Sequence, residues 1–177
     1  LTLRMFEKHE TRLILHEIRQ QRSHMLDRLI ELSGRSLRTF TRDYSLWTEM
    51  VEFVAKPTAD REWANINIDS SLATFQAEAA WVFKPDGLLF YATVVANEPP
   101  VPITLLPPPD RLVERLNRDK VCHFFIKSGV EIYEIRGSVI VTSEDTNRTT
   151  PPRGFFLTAR HWGAQHLAGL AELSQAV

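Results

Sequence analysis

The side chains of this 177-residue sequence that could do chemistry are six histidines, one cysteine, 22 carboxylates and 21 lysines and arginines. Histidine is the common switch and metal ligand near neutral pH. His9 and His16 would stand two helical turns apart, about 10 Å, too far to share an ion. His16-Glu17 opens like a zinc-protease pair, but Gln20 stands where the second histidine is needed. His161 and His166 flank a strand-to-helix junction and are not read as a metal pair. His123 alternates with Val121, Phe125 and Lys127 on one side of a strand, where it either lines a pocket or satisfies a backbone partner. Cys122 shares the opposite side with Phe124 and Ile126, the setting of a buried, inert thiol. There is no glycine-flanked serine elbow, and the seven scattered glycines form no phosphate-loop or dinucleotide fingerprint. With no catalytic set, no metal site and no cofactor motif, the residues favour binding over catalysis.

Composition narrows the partners. A net charge of −1 with no basic run excludes an extended phosphate-binding surface, so nucleic acid is not expected. A 44% hydrophobic content supports one core without disulfides or metal. No signal peptide and no run of 18 apolar residues occurs, yet LTLRMFEKHE and LAELSQAV read as helix without caps, as in a piece excised from a longer chain.

These groups must be held by the following elements. Leu1 to Leu32 lacks Pro and Gly, and Leu15, Ile18, Met25, Leu29 and Leu32 recur at three- and four-residue spacing; this predicts a long helix, roughly 45 Å at about 1.5 Å per residue, packed on its own domain or forming a homodimer seam. Gly34 reads as a left-handed cap and Ser36 as the N-cap of a second helix, Leu37 to Ala55. That helix carries RDYSLWTEMVEFV, with Tyr44, Trp47, Val51 and Val54 on one face. Asp69 is expected to cap a short helix over Ser70 to Glu78.

The period then switches to alternation. Ala80 to Lys84 and Leu88 to Val95 form a hairpin over Pro85-Asp86-Gly87. A proline-rich stretch, Asn97 to Pro109, reads as a stiff extended loop, and a short helix follows to Arg118. Val121 to Lys127 and Val130 to Thr142 pair over Ser128-Gly129, with a bulge or bend expected at Gly137. Gly154 to Trp162 is the last strand and Ala164 to Ala176 the last helix. The whole is one α+β domain, 1–177, divided as 1–33, 36–79, 80–162 and 163–177: a five-stranded antiparallel sheet with helices packed on it.

Laid out in this order, the chain resembles the fourth subclass of the CHASE sensing domains, extracytoplasmic input modules of histidine kinases and diguanylate cyclases. RDYSLWTEMVEFV resembles the family's aromatic helix, WANINIDSSLATF its polar segment, AAWVFKPDGLLFY its strand, Asp-Gly turn and strand, and GFFLTARHW its closing strand. Thr48 stands where the family pattern has Asp, and Ala159 precedes Arg160 where Gly is usual. The resemblance implies a PAS- or Cache-like fold with a long membrane-emerging helix, membrane spans flanking this piece, a periplasmic or extracellular location, and a small molecule held between sheet and helices.

Two function classes follow. In the sensing reading, an aromatic cluster of Tyr44, Trp47, Trp81, Phe83 and Tyr91 contacts the ligand while Tyr133, Arg136 and Arg160 fix its orientation; the bland alternative makes Trp47 a core residue and pairs Arg160 with a local carboxylate. In the other class the domain binds no ligand and relays a partner protein's signal. A cytoplasmic PAS-type module is a third reading.

Overall fold

The computed structural model describes residues 20–95, apart from 22 and 26, and residues 106–175. They divide into two compact units, one of the described residues up to Arg35 with those from Ala164 onward, the other Ser36–Gly163. In the first, residues 20–33 are helical wherever described (α1), and α7, Ala164–Gln175, closes the chain. The earlier part of the expected long helix, with Leu15, Ile18, His9 and His16, lies outside the described residues, as does 96–105 of the proline-rich loop. His166 is paired with the Ser33 hydroxyl at 3.0 Å. Gly34 does not take the left-handed cap expected of it. Its N–H donates to the Ile30 carbonyl at 2.8 Å, and α2, Arg35–Ser45, begins at the next residue, so Ser36 lies inside that helix.

The second unit is built on an antiparallel sheet of β1 (Ala79–Phe83), β2 (Leu89–Val94), β3 (Val121–Ser128), β4 (Glu131–Ile140) and β5 (Gly154–His161) in the order β2-β1-β5-β4-β3. This is the α+β class read from the sequence. Alternation divides the sheet into two layers. Trp81, Phe83, Ile135, Val139, Phe155 and Leu157 pack with Leu112 and Leu116 of α6, Pro109–Asp119. Ala80, Val82, Ile140 and Phe156 face the other way, against Leu37 and Phe40 of α2 and Met50, Phe53 and Val54 of α3, Thr48–Ala55. Gly137 forms no bulge: it stays in register between Cys122 and Leu157. Its missing side chain accommodates the thiol instead, since a Cβ there would lie 2.8 Å from Cys122 Sγ.

The expected continuous helix over Leu37 to Ala55 is broken. After Ser45 the chain makes a parallel bridge from Leu46 to Val141, and Trp47 is extended before α3 starts. No Pro or Gly lies in the stretch, so the cause is tertiary. Val141 donates its N–H to the Ser45 carbonyl at 2.9 Å. Arg148, held at φ +55°, sends one guanidinium to the carbonyls of Arg42 (2.9 Å), Ser45 (3.3 Å) and Val139 (2.9 Å). The donors from Val141 and Arg148 satisfy the Arg42 and Ser45 carbonyls, which α2 leaves open when it stops. Arg148 is positioned by its own loop, where Asp145 accepts from the amides and hydroxyls of Thr149 and Thr150. The Thr150 hydroxyl and the two amides hold the Asp145 carboxyl well below the usual carboxylate range.

The next helical segment also differs from expectation. α4 (Arg61–Ala64), a π-helical turn (Asn65–Asp69) and α5 (Ser70–Thr74) run on without a gap. The cap is Asp60, which accepts from the Trp63 amide at 3.1 Å; Asp69 caps nothing and is free to meet β2.

Arg148→Met should keep the aliphatic stem and remove the charged donors from the Arg42, Ser45 and Val139 carbonyls, leaving Ser45 its bond from Val141 and Arg42 its bond from the Ser45 hydroxyl. Hydrogen bonds from charged donors contribute about 1.5–3 kcal/mol each and do not add fully, so a loss on the order of 3 kcal/mol is expected in urea unfolding. Arg148→Lys, lacking the planar fork, should recover less than half of it; a Met variant within about 0.5 kcal/mol of the parent would refute the clamp.

Candidate functional site

On the layer facing α2, the apolar side chains give way toward the β3 edge to polar ones: Glu134, Arg136 and Ser138 from β4, Thr158 and Arg160 from β5, and His123 from β3. Thr41 of α2 meets this region, its hydroxyl 2.6 Å from that of Thr158. Glu134 is at the centre and wholly buried. One carboxylate oxygen accepts from Arg136 Nε at 2.8 Å and lies 3.1 Å from His123 Nε2. The other accepts from Arg160 Nη2 at 2.6 Å and from the Trp162 indole N–H at 3.0 Å. Burial alone would push this carboxyl upward. The His123 hydrogen bond, the charge of Arg160 and the bonds from both arginines outweigh it and hold the group at about 2.

Arg136 and Arg160 are 6% and 4% exposed, whereas the His123 side chain is 35% exposed and is the cluster's contact with solvent. Aromatic rings border it: Phe125 lies edge-on to Trp162 at 5.1 Å and beside His123 at 5.2 Å. His123 thus meets a side-chain carboxylate rather than the backbone partner expected as one alternative.

The seven candidate residues do not converge on one place. Arg136 and Arg160 share the Glu134 cluster. Tyr44, Trp47 and Tyr91 belong to the same sheet layer but to its apolar, helix-covered part. There the Tyr44 hydroxyl bonds Ser71 at 2.6 Å, Trp47 packs on Tyr44 and Trp63 at 5.5 and 5.3 Å, and the Tyr91 hydroxyl donates to Asp69 at 2.8 Å. Burial, then the bond to Asp69, pushes the Tyr91 phenol up to about 12. Trp81 and Tyr133 are on the opposite layer, with Phe83. The expected cluster uniting Trp47 with Trp81 and Phe83 therefore does not form, because β1 presents Ala80 and Val82, not the rings, to α2 and α3. Tyr133 stacks obliquely on His161 at 5.2 Å, and the His161 imidazole is bonded to Glu131. Cys122 is buried as expected, and desolvation raises its thiol to about 11. Among the described residues no group of three His, Cys, Asp or Glu side chains could hold a metal ion.

Sequence reasoning missed Glu134. A signal was present: opposite charges two apart in a strand, Glu134 and Arg136, share a face with His123 on the neighbouring strand once the Ser128-Gly129 turn sets the register. Thr48 also acquires a role. It exchanges hydrogen bonds of 3.2 Å with Ser143, joining the start of α3 to the loop after β4.

The family model described as the CHASE4 domain matches residues 29–176. The chain belongs to the CHASE4 domain family. No curated protein matches it. CHASE4 domains are sensor domains of signalling proteins, a sensory and generally non-catalytic class, and CHASE-type domains are extracytoplasmic. The matched span takes in the whole sheet and the Glu134 cluster. Among the described residues no helix is long and apolar enough to cross a membrane.

The depressed Glu134 carboxyl gives this CHASE4 domain a pH dependence of known sign. The folded group sits at about 2 against a reference of 4.5, so its stabilisation is complete above roughly pH 5.5 and is lost as pH falls toward 2. The loss is on the order of 3 kcal/mol. Urea midpoints across that range should show it, and Glu134→Gln should flatten this component while costing about 3 kcal/mol at pH 7, because two buried arginines lose their carboxylate. An unchanged slope in Glu134→Gln would assign the acid sensitivity elsewhere.

Proposed function

We propose that this CHASE4 domain is the extracytoplasmic ligand-sensing input module of a membrane-bound bacterial or archaeal signalling protein, either a histidine kinase or a cyclic di-GMP enzyme, and that its ligand is a small anion taken up beside Arg136 and Arg160. The α+β layout supports a PAS- or Cache-like reading of the module. The observation that carries the ligand class is the pair of arginines on neighbouring strands, buried in a sensory domain and steered by one carboxylate. A guanidinium offers a planar fork matched to carboxylate or phosphate. His123 marks the side from which such a ligand enters. Binding would work by differential affinity for two arrangements of the domain, and the helices at either end of the sequence would carry the bias toward the membrane.

A relay role without a ligand has one observation in its favour: Glu134 already accepts a bond from each arginine. Thermal-shift measurements with amino acids, di- and tricarboxylates and inorganic phosphate separate the two. A ligand at 100 times its Kd stabilises by about 2.7 kcal/mol, a rise of several degrees in Tm. The hit should vanish in Arg160→Met and persist in Trp47→Ala, whose Tm falls because a packed ring is removed. No stabilising compound in the panel would favour the relay.

A further inference from the structure

Glu134 already gives Arg136 and Arg160 what an entering anion would give them, and the way its donors are shared makes it exchangeable. Among the described residues, each of its oxygens is met by one arginine and by one donor that is not an arginine. The first oxygen takes Arg136 Nε at 2.8 Å and has His123 Nε2 at 3.1 Å. The second takes Arg160 Nη2 at 2.6 Å and the Trp162 indole N–H at 3.0 Å. Losing its arginines would ordinarily strand a buried carboxylate. Here His123 and Trp162 stay behind, one on each oxygen. Trp162 is fixed independently of the cluster, its amide donating to the Ile132 carbonyl at 2.7 Å and its ring meeting Phe125 at 5.1 Å; Phe125 also borders His123 at 5.2 Å. Each guanidinium, moreover, gives Glu134 a single N–H and not the two parallel N–H groups of a fork. A carboxylate or phosphate that engages the fork makes the stronger pair.

We propose that Glu134 is a tethered counter-ligand: it holds Arg136 and Arg160 until an anion with two oxygens on one centre draws them away, while His123 and Trp162 keep its carboxylate paired. This rests on the reading that an anion binds beside the two arginines. Glu134 thereby sets the concentration at which the site responds, because the anion must break two arginine contacts and meet a like charge at close range. The exchange also supplies the two arrangements that a sensor needs. They differ in what Arg136 of β4 and Arg160 of β5 are bonded to, and the anion favours one of them by its own contacts.

Titration calorimetry of the 177-residue chain with succinate and with inorganic phosphate tests it. Glu134→Gln removes the competing charge, and its amide nitrogen accepts nothing from an arginine. Although this variant is less stable, it should bind the anion about tenfold more tightly or better. Trp162→Phe keeps a ring against Phe125 but removes the donor that stays with Glu134 during the exchange. Its circular dichroism should match the parent while the anion binds about tenfold more weakly. In the double variant the effect of Trp162→Phe should largely disappear, because no carboxylate is left to hold. A Glu134 that only braces the strands predicts the opposite sign for Glu134→Gln, since loosened arginines bind less well. Binding to the parent that Glu134→Gln weakens or leaves unchanged, or that Trp162→Phe leaves unchanged, overturns the counter-ligand and leaves the anion reading standing. Binding to Glu134→Gln alone supports it, and no binding to the parent or to any variant overturns both. Should Glu134→Gln fail to fold, the comparison of Trp162→Phe with the parent decides.

Discussion

A carboxylate with no access to water stays charged only if the fold surrounds it with donors, and Glu134 imposes that condition on three strands at once. His123 comes from β3, Arg136 from β4 itself, and Arg160 from β5, with Trp162 just beyond. The four contacts saturate the acceptor positions of the carboxylate. Any slip of β3 or β5 by one residue would carry its donor to the opposite face, leaving a buried charge without compensation. The apolar layers on either side would tolerate such a slip far better, because Val, Ile, Leu and Phe are interchangeable in kind. The charged cluster therefore specifies register where the hydrophobic pattern is permissive.

The strands were legible in the sequence because alternation and turn chemistry are local. Pro85-Asp86-Gly87 gives the hairpin, with Gly87 at φ +86°, and Asp86 bonds the Leu88 amide as a turn aspartate does. Alternation also shows that Trp81 and Phe83 share a side. It does not show which layer of helices covers that side, and here α6 lies there while α2 and α3 meet Ala80 and Val82. The aromatic stretch around Trp47 is accordingly buried against small and aliphatic residues of the sheet and against rings of the helical segment that follows it, Trp63 on Trp47 at 5.3 Å and Phe75 on Phe40 at 4.9 Å.

The site was half legible. Arg136 and Arg160 could be singled out as residues suited to an anion, but their partner was one carboxylate among 22, and its choice depends on strand register. Asp69 shows the complementary error. Its position before a Ser-Ser pair looks like a cap, yet the preceding residues are already helical and the carboxylate is taken by Tyr91 from the adjoining strand. In both cases a group's nearest neighbours in sequence were outbid by one far along the chain, which no local rule can see.

The interrupted helix at Leu46 couples the helices to the far end of the chain. Residues 35–55 have no internal reason to stop at Ser45; the break is enforced by Val141 and by Arg148, which is about a hundred positions away. The pattern of these residues by itself is that of one helix, so the break belongs to the tertiary contacts and not to the local sequence. The extended backbone of Trp47, and with it the angle between α2 and α3, is therefore set by β4 and the loop after it. A change in β4 or in the loop that holds Arg148 would thus be felt at the aromatic face of the helices, a mechanical link between the two ends of the unit.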